Sequence, residues 1–386
     1  MDFDLTEEQE EFRRAVRAFA EDVIAPRAEE MDRKEELPMD IVKQMGEMGL
    51  FGLPFPEEYG GQGADFLTLC LAIEEIARVD SSIAITLEAA VGLGANPIYQ
   101  YGSEEQKQRW LVPMCRGEIL GAFGLTEPGG GSDAAATKTT ASLEEGEWVI
   151  NGSKAFITNS GTPISKVATI TAVTGEADGR KEISSIIVPT DTPGFEVGKS
   201  YRKVGWRASD THELAFNNCR VPEENLLGEK GKGYAQFLQI LDDGRIAIAS
   251  LGVGLAQGCL EESIKYAGER EAFGRPIGGF QGLQFKIADM KVAVETARLA
   301  TYKAAWLKEQ GRPYKAEASL AKLHSSEIAM NCARDALQIH GAYGYIEEFP
   351  VARYYRDAKV LEIGEGTNEI QRILIARDLG LPDTDL

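Results

Sequence analysis

Apolar residues recur at helical spacing through the first third of the chain. Phe12, Val16, Phe19 and Val23 follow a capping-box pair, Thr6 and Gln9, and the pattern is expected to end at Pro26. Further helices fit residues 40–50, 66–78 and 103–111, the last opening on a second capping-box pair, Ser103 and Gln106. Residues 54–61 hold two prolines and two glycines and read as a loop. From about Ile119 the period changes to that of strands. Trp148-Val149-Ile150 and Ala155-Phe156-Ile157-Thr158 flank Asn151-Gly152, a dipeptide that favours a type I′ hairpin turn. Short apolar runs follow at residues 167–173, 183–188 and 214–216. After Gly233 long helical stretches return, with Leu283, Ile287, Met290, Val294 and Ala297 on one face, and continue with few breaks to Ala333. The order is therefore α, β, α: an all-helical part over 1–118, a β part over 119–230 and a helical bundle over 231–386, with no repeat or flexible linker between them.

At 386 residues, with 43% hydrophobic and 26% charged residues and no run near 18 apolar residues, the composition is that of a soluble multidomain protein without membrane insertion. The start, Met1-Asp2-Phe3-Asp4, is acidic where a leader would be basic, so the chain reads as leaderless or already processed and is placed in the cytoplasm or an equivalent reducing compartment. A formal charge of -20 opposes nucleic-acid binding. The five cysteines lack any C-x-x-C pair and the three histidines are scattered, which points to neither a disulfide framework nor a metal site. The chemistry is left to carboxylates and a cofactor.

Two segments stand out. Leu125-Thr126-Glu127-Pro128-Gly129-Gly130-Gly131-Ser132-Asp133 follows a strand and can bring backbone N–H groups to an anion, though a glycine loop also serves as a plain connector. In Ile363-Gly364-Glu365-Gly366-Thr367-Asn368, glycines bracket an acid before a helix that Thr367 or Asn368 can cap; the modest role open to Glu365 there is to complement the helix dipole. Gly252, Gly254 and Gly258 have neither dinucleotide-fingerprint spacing nor a preceding strand, so close helix packing explains them better. The glycines of residues 228–233 lack the spacing of a phosphate-binding loop for nucleotide hydrolysis.

Taken in order, these segments resemble the acyl-CoA dehydrogenase family over nearly the whole chain. The Leu125 segment is similar to the family's first signature and Gln338-Ile339-His340-Gly341-Ala342-Tyr343-Gly344-Tyr345 to its second; residues 203–211 and 221–228 are similar to the end of its β-domain. The resemblance implies an N-terminal helical domain, a middle β-barrel and a C-terminal four-helix bundle, usually tetrameric, with FAD as cofactor and an electron-transferring flavoprotein as partner. It implies Glu365 as the catalytic base. Phe123, Leu125, Thr126, Gly131, Ser132, Phe156, Ile157 and Thr158 would line the flavin, with Arg270, Phe273, Gln281, Gln338, Ile339, Gly341, Ala342, Thr367 and Glu369 completing the site, in this family by reaching a neighbouring subunit. Ser132, Asp242, Gly244, Arg245 and Gly366 would contact the acyl-CoA, although Arg245 could equally serve a structural ion pair.

Three positions depart from the family pattern. Ala342 replaces the usual Gly or Ser, Phe156 stands where many members carry Trp, and Gly364 where many straight-chain members carry Tyr. A minority of the family places its base at the position of Gly244, which cannot act as one. Gly364 can leave room for a short or methyl-branched acyl chain, linking the chain to fatty-acid β-oxidation or branched-chain amino-acid catabolism, or can simply give the loop backbone freedom. The absence of Lys and Arg from Val79 to Tyr101 disfavours a dicarboxylyl substrate. The alternatives are an oxidase of the same ancestry, which usually carries a further C-terminal domain, and a flavin-bearing nucleic-acid-binding relative, against which the acidity argues.

Overall fold

The computed structural model describes residues 4–177 and 179–382, so the first three residues of the acidic start lie outside it. The helical first part comprises α1 (Glu7–Phe19), α2 (Ala28–Lys34), α3 (Met39–Glu47), α4 (Phe66–Ala77), α5 (Ser81–Glu88), α6 (Asn96–Tyr101), α7 (Glu104–Gln106) and α8 (Val112–Cys115). Both capping boxes form: Thr6 Oγ1 accepts the Gln9 N–H at 3.2 Å, and Ser103 Oγ accepts that of Gln106 at 3.2 Å. Pro26 does not end the helical path, contrary to expectation. A π turn over Ala20–Ile24 and a 3-10 turn over Ala25–Arg27 lead into α2, and the proline sits at the start of the 3-10 piece, where its missing N–H has no partner to lose.

Strands β1 (Leu120–Gly124), β2 (Thr140–Glu144), β3 (Glu147–Thr158), β4 (Ser165–Ala177), β5 (Arg180–Pro189), β6 (Phe195–Val197), β7 (Thr211–Pro222) and β8 (Leu226–Leu227) make one sheet. Its order is β6-β7-β3-β2-β4-β5-β8, with β1 parallel to β4. Trp148, Ile150, Ile170, Ile186 and Phe216 fill its core. Asn151-Gly152 is not the expected hairpin turn. β3 runs straight through it, the pairing with β7 slipping between Ile150 and Gly152, while Asn151 Oδ1 accepts the Asn218 N–H at 2.9 Å. The turn is made six residues earlier by Glu145-Gly146, whose φ values of 52° and 85° suit a type I′ turn between β2 and β3.

The last part holds α9 (Gly233–Glu269), a short hairpin of β9 (Glu271–Ala272) and β10 (Arg275–Pro276), then α10 (Gln281–Glu309), α11 (Lys315–His340), α12 (Pro350–Leu361) and α13 (Asn368–Asp378). The glycines of α9 are packing positions: a Cβ at Gly254 would come within 2.2 Å of Glu74 O, and one at Gly258 within 2.2 Å of Arg78 O. That lets α4 lie against α9, and a single apolar core joins the N-terminal helices to the C-terminal ones. No helix among the described residues is long and apolar enough to cross a membrane.

Candidate active site

Glu365 stands in the turn between α12 and α13 with φ 51°, followed by Gly366 with φ 88°. A glutamate in the left-handed region is uncommon and must be held by its surroundings. The clamps are visible. Lys322 Nζ, on the buried face of α11, donates to Gly366 O at 2.8 Å and to Asn368 Oδ1 at 3.2 Å; Gln371 Nε2 donates to Gly366 O at 2.9 Å. Thr367 caps α13, its Oγ1 accepting the Ile370 N–H at 3.4 Å.

The Glu365 carboxylate turns away from the helix end and into the protein, so it is not a partner of the α13 dipole. Both oxygens are shielded from solvent although the residue as a whole is half-buried. They face α9 at Gly244, where an added Cβ would come within 2.3 Å of Glu365 Oε2. Burial pushes the carboxyl up to about 7, against the hydrogen bond from Glu88 and the charges of Lys322 and Arg245. The Glu365 N–H donates to no acceptor among the described residues.

Of the residues expected to meet substrate, Gly244, Arg245 and Gly366 gather around Glu365, with Asp242 bound to Arg245. Arg245 forms the ion pair foreseen for it, with Asp242, but its buried Nε has no partner. Ser132 lies on the exposed loop after β1. Two residues of this site escaped the sequence reading. Glu88, at the end of α5, has no solvent exposure and is the neighbour of Glu365; Lys322 is equally buried. Each left a faint signal: Glu88 is the one acid in an apolar stretch from Ile83 to Ala95, and Lys322 falls in register with Ala318, Ser325 and Ala329 on a face of small residues.

The residues expected around a flavin fall into two groups. In the first, the loop after β1 lies against β3, the Ala155 N–H donating to Thr126 O at 2.8 Å. Below it, buried Lys154 reaches Glu127 Oε1 at 2.8 Å and Leu125 O at 3.4 Å, which pins the loop to the sheet. Phe123 stacks on Phe237 of α9 with ring centroids 4.0 Å apart. Phe156, with φ 61° and 65% exposed, stacks one face on Tyr201 at 4.9 Å. Thr158 is half-buried, whereas Ile157 turns its side chain into the sheet core and can offer only backbone. Asn159 Nδ2 then donates to Thr86 O at 3.0 Å, tying the end of β3 to the helix that carries Glu88.

The second group lies at the other end of the bundle. Arg270 ends α9, its guanidinium 5.8 Å from the Tyr343 ring; Phe273 is 96% exposed, and Gln281, Gln338, Gly341 and Ala342 are exposed beside it. Ile339 is turned inward. At a rise of 1.5 Å per residue, Arg270 is about 39 Å along α9 from Gly244. Thr367 and Glu369 stay with Glu365, Glu369 pointing to solvent. A second copy of the chain is what would bring the two groups to one ligand.

These features fit an FAD. The loop after β1 presents exposed backbone with open space at Gly131, Phe156 offers an aromatic face, and Arg270 pairs with no carboxylate among the described residues of a strongly acidic chain.

Comparison with known proteins agrees. Models of the acyl-CoA dehydrogenase N-terminal, middle and C-terminal domains match residues 6–118, 122–219 and 231–380. YngJ, a probable acyl-CoA dehydrogenase of Bacillus subtilis, is 51% identical over 98% of this chain and 100% of its own. A chain from the structure reported for the electron transferring flavoprotein of Acidaminococcus fermentans is 46% identical with a TM-score of 0.95, covering 98% of this chain and 99% of that one. The butyryl-CoA dehydrogenase of Megasphaera elsdenii is 43% identical, again with a TM-score of 0.95, over 98% and 100% of the two chains. With three successive domain models matched in order and a buried glutamate set between glycines where the resemblance requires its base, the chain belongs to the acyl-CoA dehydrogenase family.

Proposed function

We propose that this protein dehydrogenates a saturated acyl-CoA thioester to the trans-2-enoyl-CoA, with FAD as cofactor, an electron-transferring flavoprotein as electron acceptor and Glu365 as base. The observation that carries the reading is the Glu365 turn: a carboxylate shielded from water, raised in basicity, with its turn clamped by Lys322 and Gln371, and set close against Gly244, where a side chain would collide with it. A base with a pKa near 7 is matched to proton abstraction near neutral pH. An acyl α C–H still needs help to ionise. The free N–H of Glu365 can hold the thioester oxygen and stabilise the enolate charge as an oxyanion hole does. Phe123, Leu125, Thr126, Gly131, Ser132, Phe156 and Thr158 would hold the flavin from one subunit, and Arg270, Phe273, Gln281, Gln338 and Gly341 from its neighbour in a homotetramer. When bound, FAD supplies the two-electron acceptor for the hydride leaving the β-carbon.

A short acyl group, butyryl in size, is the proposed substrate, as the similarity to the butyryl-CoA dehydrogenase supports. The five free, buried cysteines support a reducing compartment, the cytoplasm or, for a processed form, the mitochondrial matrix. The test is direct. Purified protein is expected to be yellow and to be bleached anaerobically by butyryl-CoA; colourless protein that takes up no added FAD would refute the reading.

A further inference from the structure

Glu88 has no role in the chemistry described so far, yet its placement is costly. Both of its oxygens and both of those of Glu365 are buried, and none finds a donor among the described residues; the two carboxyls converge on each other beside Gly244. Two glycines make room for the pair. A Cβ at Gly92 would come within 2.9 Å of Glu88 Oε1, and one at Gly244 within 3.6 Å of the same atom and 2.3 Å of Glu365 Oε2. Gly92 belongs to a π turn, Ala89–Ala95, that directly follows α5, an irregularity of the kind helices carry at functional sites.

Two adjacent carboxylates out of water cannot both be ionised, and two protonated ones would leave no base. One proton between them is the state that physics favours. The surroundings then decide which residue keeps it. From α11, Lys322 faces Glu365; from α9, Arg245 does, itself paired with Asp242. The remaining acid of α9 near the pair, Asp243, is taken up by Lys308 at 2.9 Å, Tyr314, Asn96 and Gln100. Glu362 and Glu369, on the segment around the base, act on Lys322. No cation among the described residues acts on Glu88.

We infer that Glu88 is a positioning residue for the base: it holds the one proton of a buried Glu88–Glu365 pair and donates it in a hydrogen bond that keeps Glu365 ionised and aimed beside Gly244. This rests on the reading of Glu365 as the base. On turnover, the substrate's α-proton is added to Glu365 while Glu88 keeps its own, so the pair passes from one proton to two and the buried negative charge leaves it.

The experiment uses the full-length, FAD-loaded protein and its Glu88→Gln, Glu88→Leu and Glu365→Gln variants. Infrared difference spectra without substrate read the carboxylic acid C=O band; stopped-flow bleaching by butyryl-CoA reads the pH dependence. Recorded well above the acid limb of every variant, where Glu365 is ionised, the band is expected in the wild type and in Glu365→Gln, and is expected to be lost in both Glu88 variants. The acid limb of the bleaching profile should move up by about one pH unit in Glu88→Leu, a tenfold slower reaction below the limb, and return to within a few tenths in Glu88→Gln, which still has an N–H to donate. A band that disappears in Glu365→Gln but survives in Glu88→Gln puts the proton on the wrong residue and overturns the inference, as does an unmoved limb in Glu88→Leu. Should Glu88→Leu fail to fold, Glu88→Gln and the infrared band still decide. Wild-type protein that loads FAD but is not bleached would refute the dehydrogenase reading, and the infrared comparison would still test the shared proton.

Discussion

Glu127 and Glu365 are both buried acids beside buried lysines, and the protein treats them in opposite ways. Burial alone would push the Glu127 carboxyl up, but the bond and charge of Lys154, with Thr139, outweigh it and hold the carboxyl below its usual range. Its oxygens are fully used: they accept from Lys154 Nζ at 2.8 Å, Lys138 N–H at 2.7 Å and Thr139 N–H at 3.0 Å. Around Glu365 the nearby cation is spent on backbone. Lys322 bonds Gly366 O and Asn368, and the carboxylate oxygens stay without a donor other than Glu88. A satisfied carboxylate fixes a loop; an unsatisfied one remains basic. The difference separates an acid that holds the loop after β1 in place from one that can take a proton.

The largest effect should come from breaking the satisfied pair. Lys154→Met leaves Glu127 buried without its cation and is expected to lower stability by about 3–5 kcal/mol, with much of that recovered in the double variant Glu127→Leu, Lys154→Met. Urea unfolding with unchanged m-value is the check, and a loss under about 1 kcal/mol would mean that Glu127 is not held as described. The unsatisfied site predicts a change in specificity. A Cβ at Gly364 would touch only Val360 O, at 3.4 Å, and Gly364 is not in the left-handed region, so a side chain fits there without backbone strain. Gly364→Tyr is expected to lower kcat/KM for isovaleryl- and 2-methylbutyryl-CoA about tenfold more than for butyryl-CoA. Wild-type preference for octanoyl-CoA, with branched and straight esters penalised alike in the variant, would contradict the spare room.

The smallest effect is the sign of a pH slope. Glu365 is raised from 4.5 to about 7 in the folded protein, so between these values the folded chain holds a proton that the unfolded chain has released. Stability from this group is therefore lost as pH rises through that window, and Glu365→Gln should flatten the fall in Tm from about pH 5 to 7.5. Glu127, held low, has the opposite sign: its contribution is present above the ordinary carboxylate range and is lost as pH falls below it. A Tm of the Glu365→Gln variant that runs parallel to wild type across the neutral window would remove the distinction drawn between the two acids.

What the sequence could tell follows the range of the interactions. The capping boxes at Thr6 and Ser103 were legible because donor and acceptor lie three residues apart. The α9 glycines were legible as packing positions because they recur on one helix. Asn151-Gly152 was misread as a turn because its left-handed and extended options look alike locally; the partner that makes it a bulge, Asn218 on β7, lies far along the chain. The Glu365 motif and the loop after β1 were legible as ordered segments, but the Glu88–Glu365 contact and the Lys322 clamp were not. They join residues of α5, α11 and the α12–α13 turn, and no local pattern announces a contact between elements so distant in sequence. Pro26 failed for a simpler reason: a proline ends a regular helix, yet a 3-10 turn can carry the chain past it into the next.

The central claim is that Glu365 is the base and that the flavin site stands without it. The most direct measurement is anaerobic stopped-flow reduction of FAD-loaded Glu365→Gln by butyryl-CoA, set beside its flavin content and its binding of the acyl-CoA. Full flavin content, retained binding and reduction at least about 10²-fold slower than wild type are expected, the scale for deleting a general base. Reduction at a near-normal rate in a variant that keeps its flavin would place the base elsewhere and contradict the account.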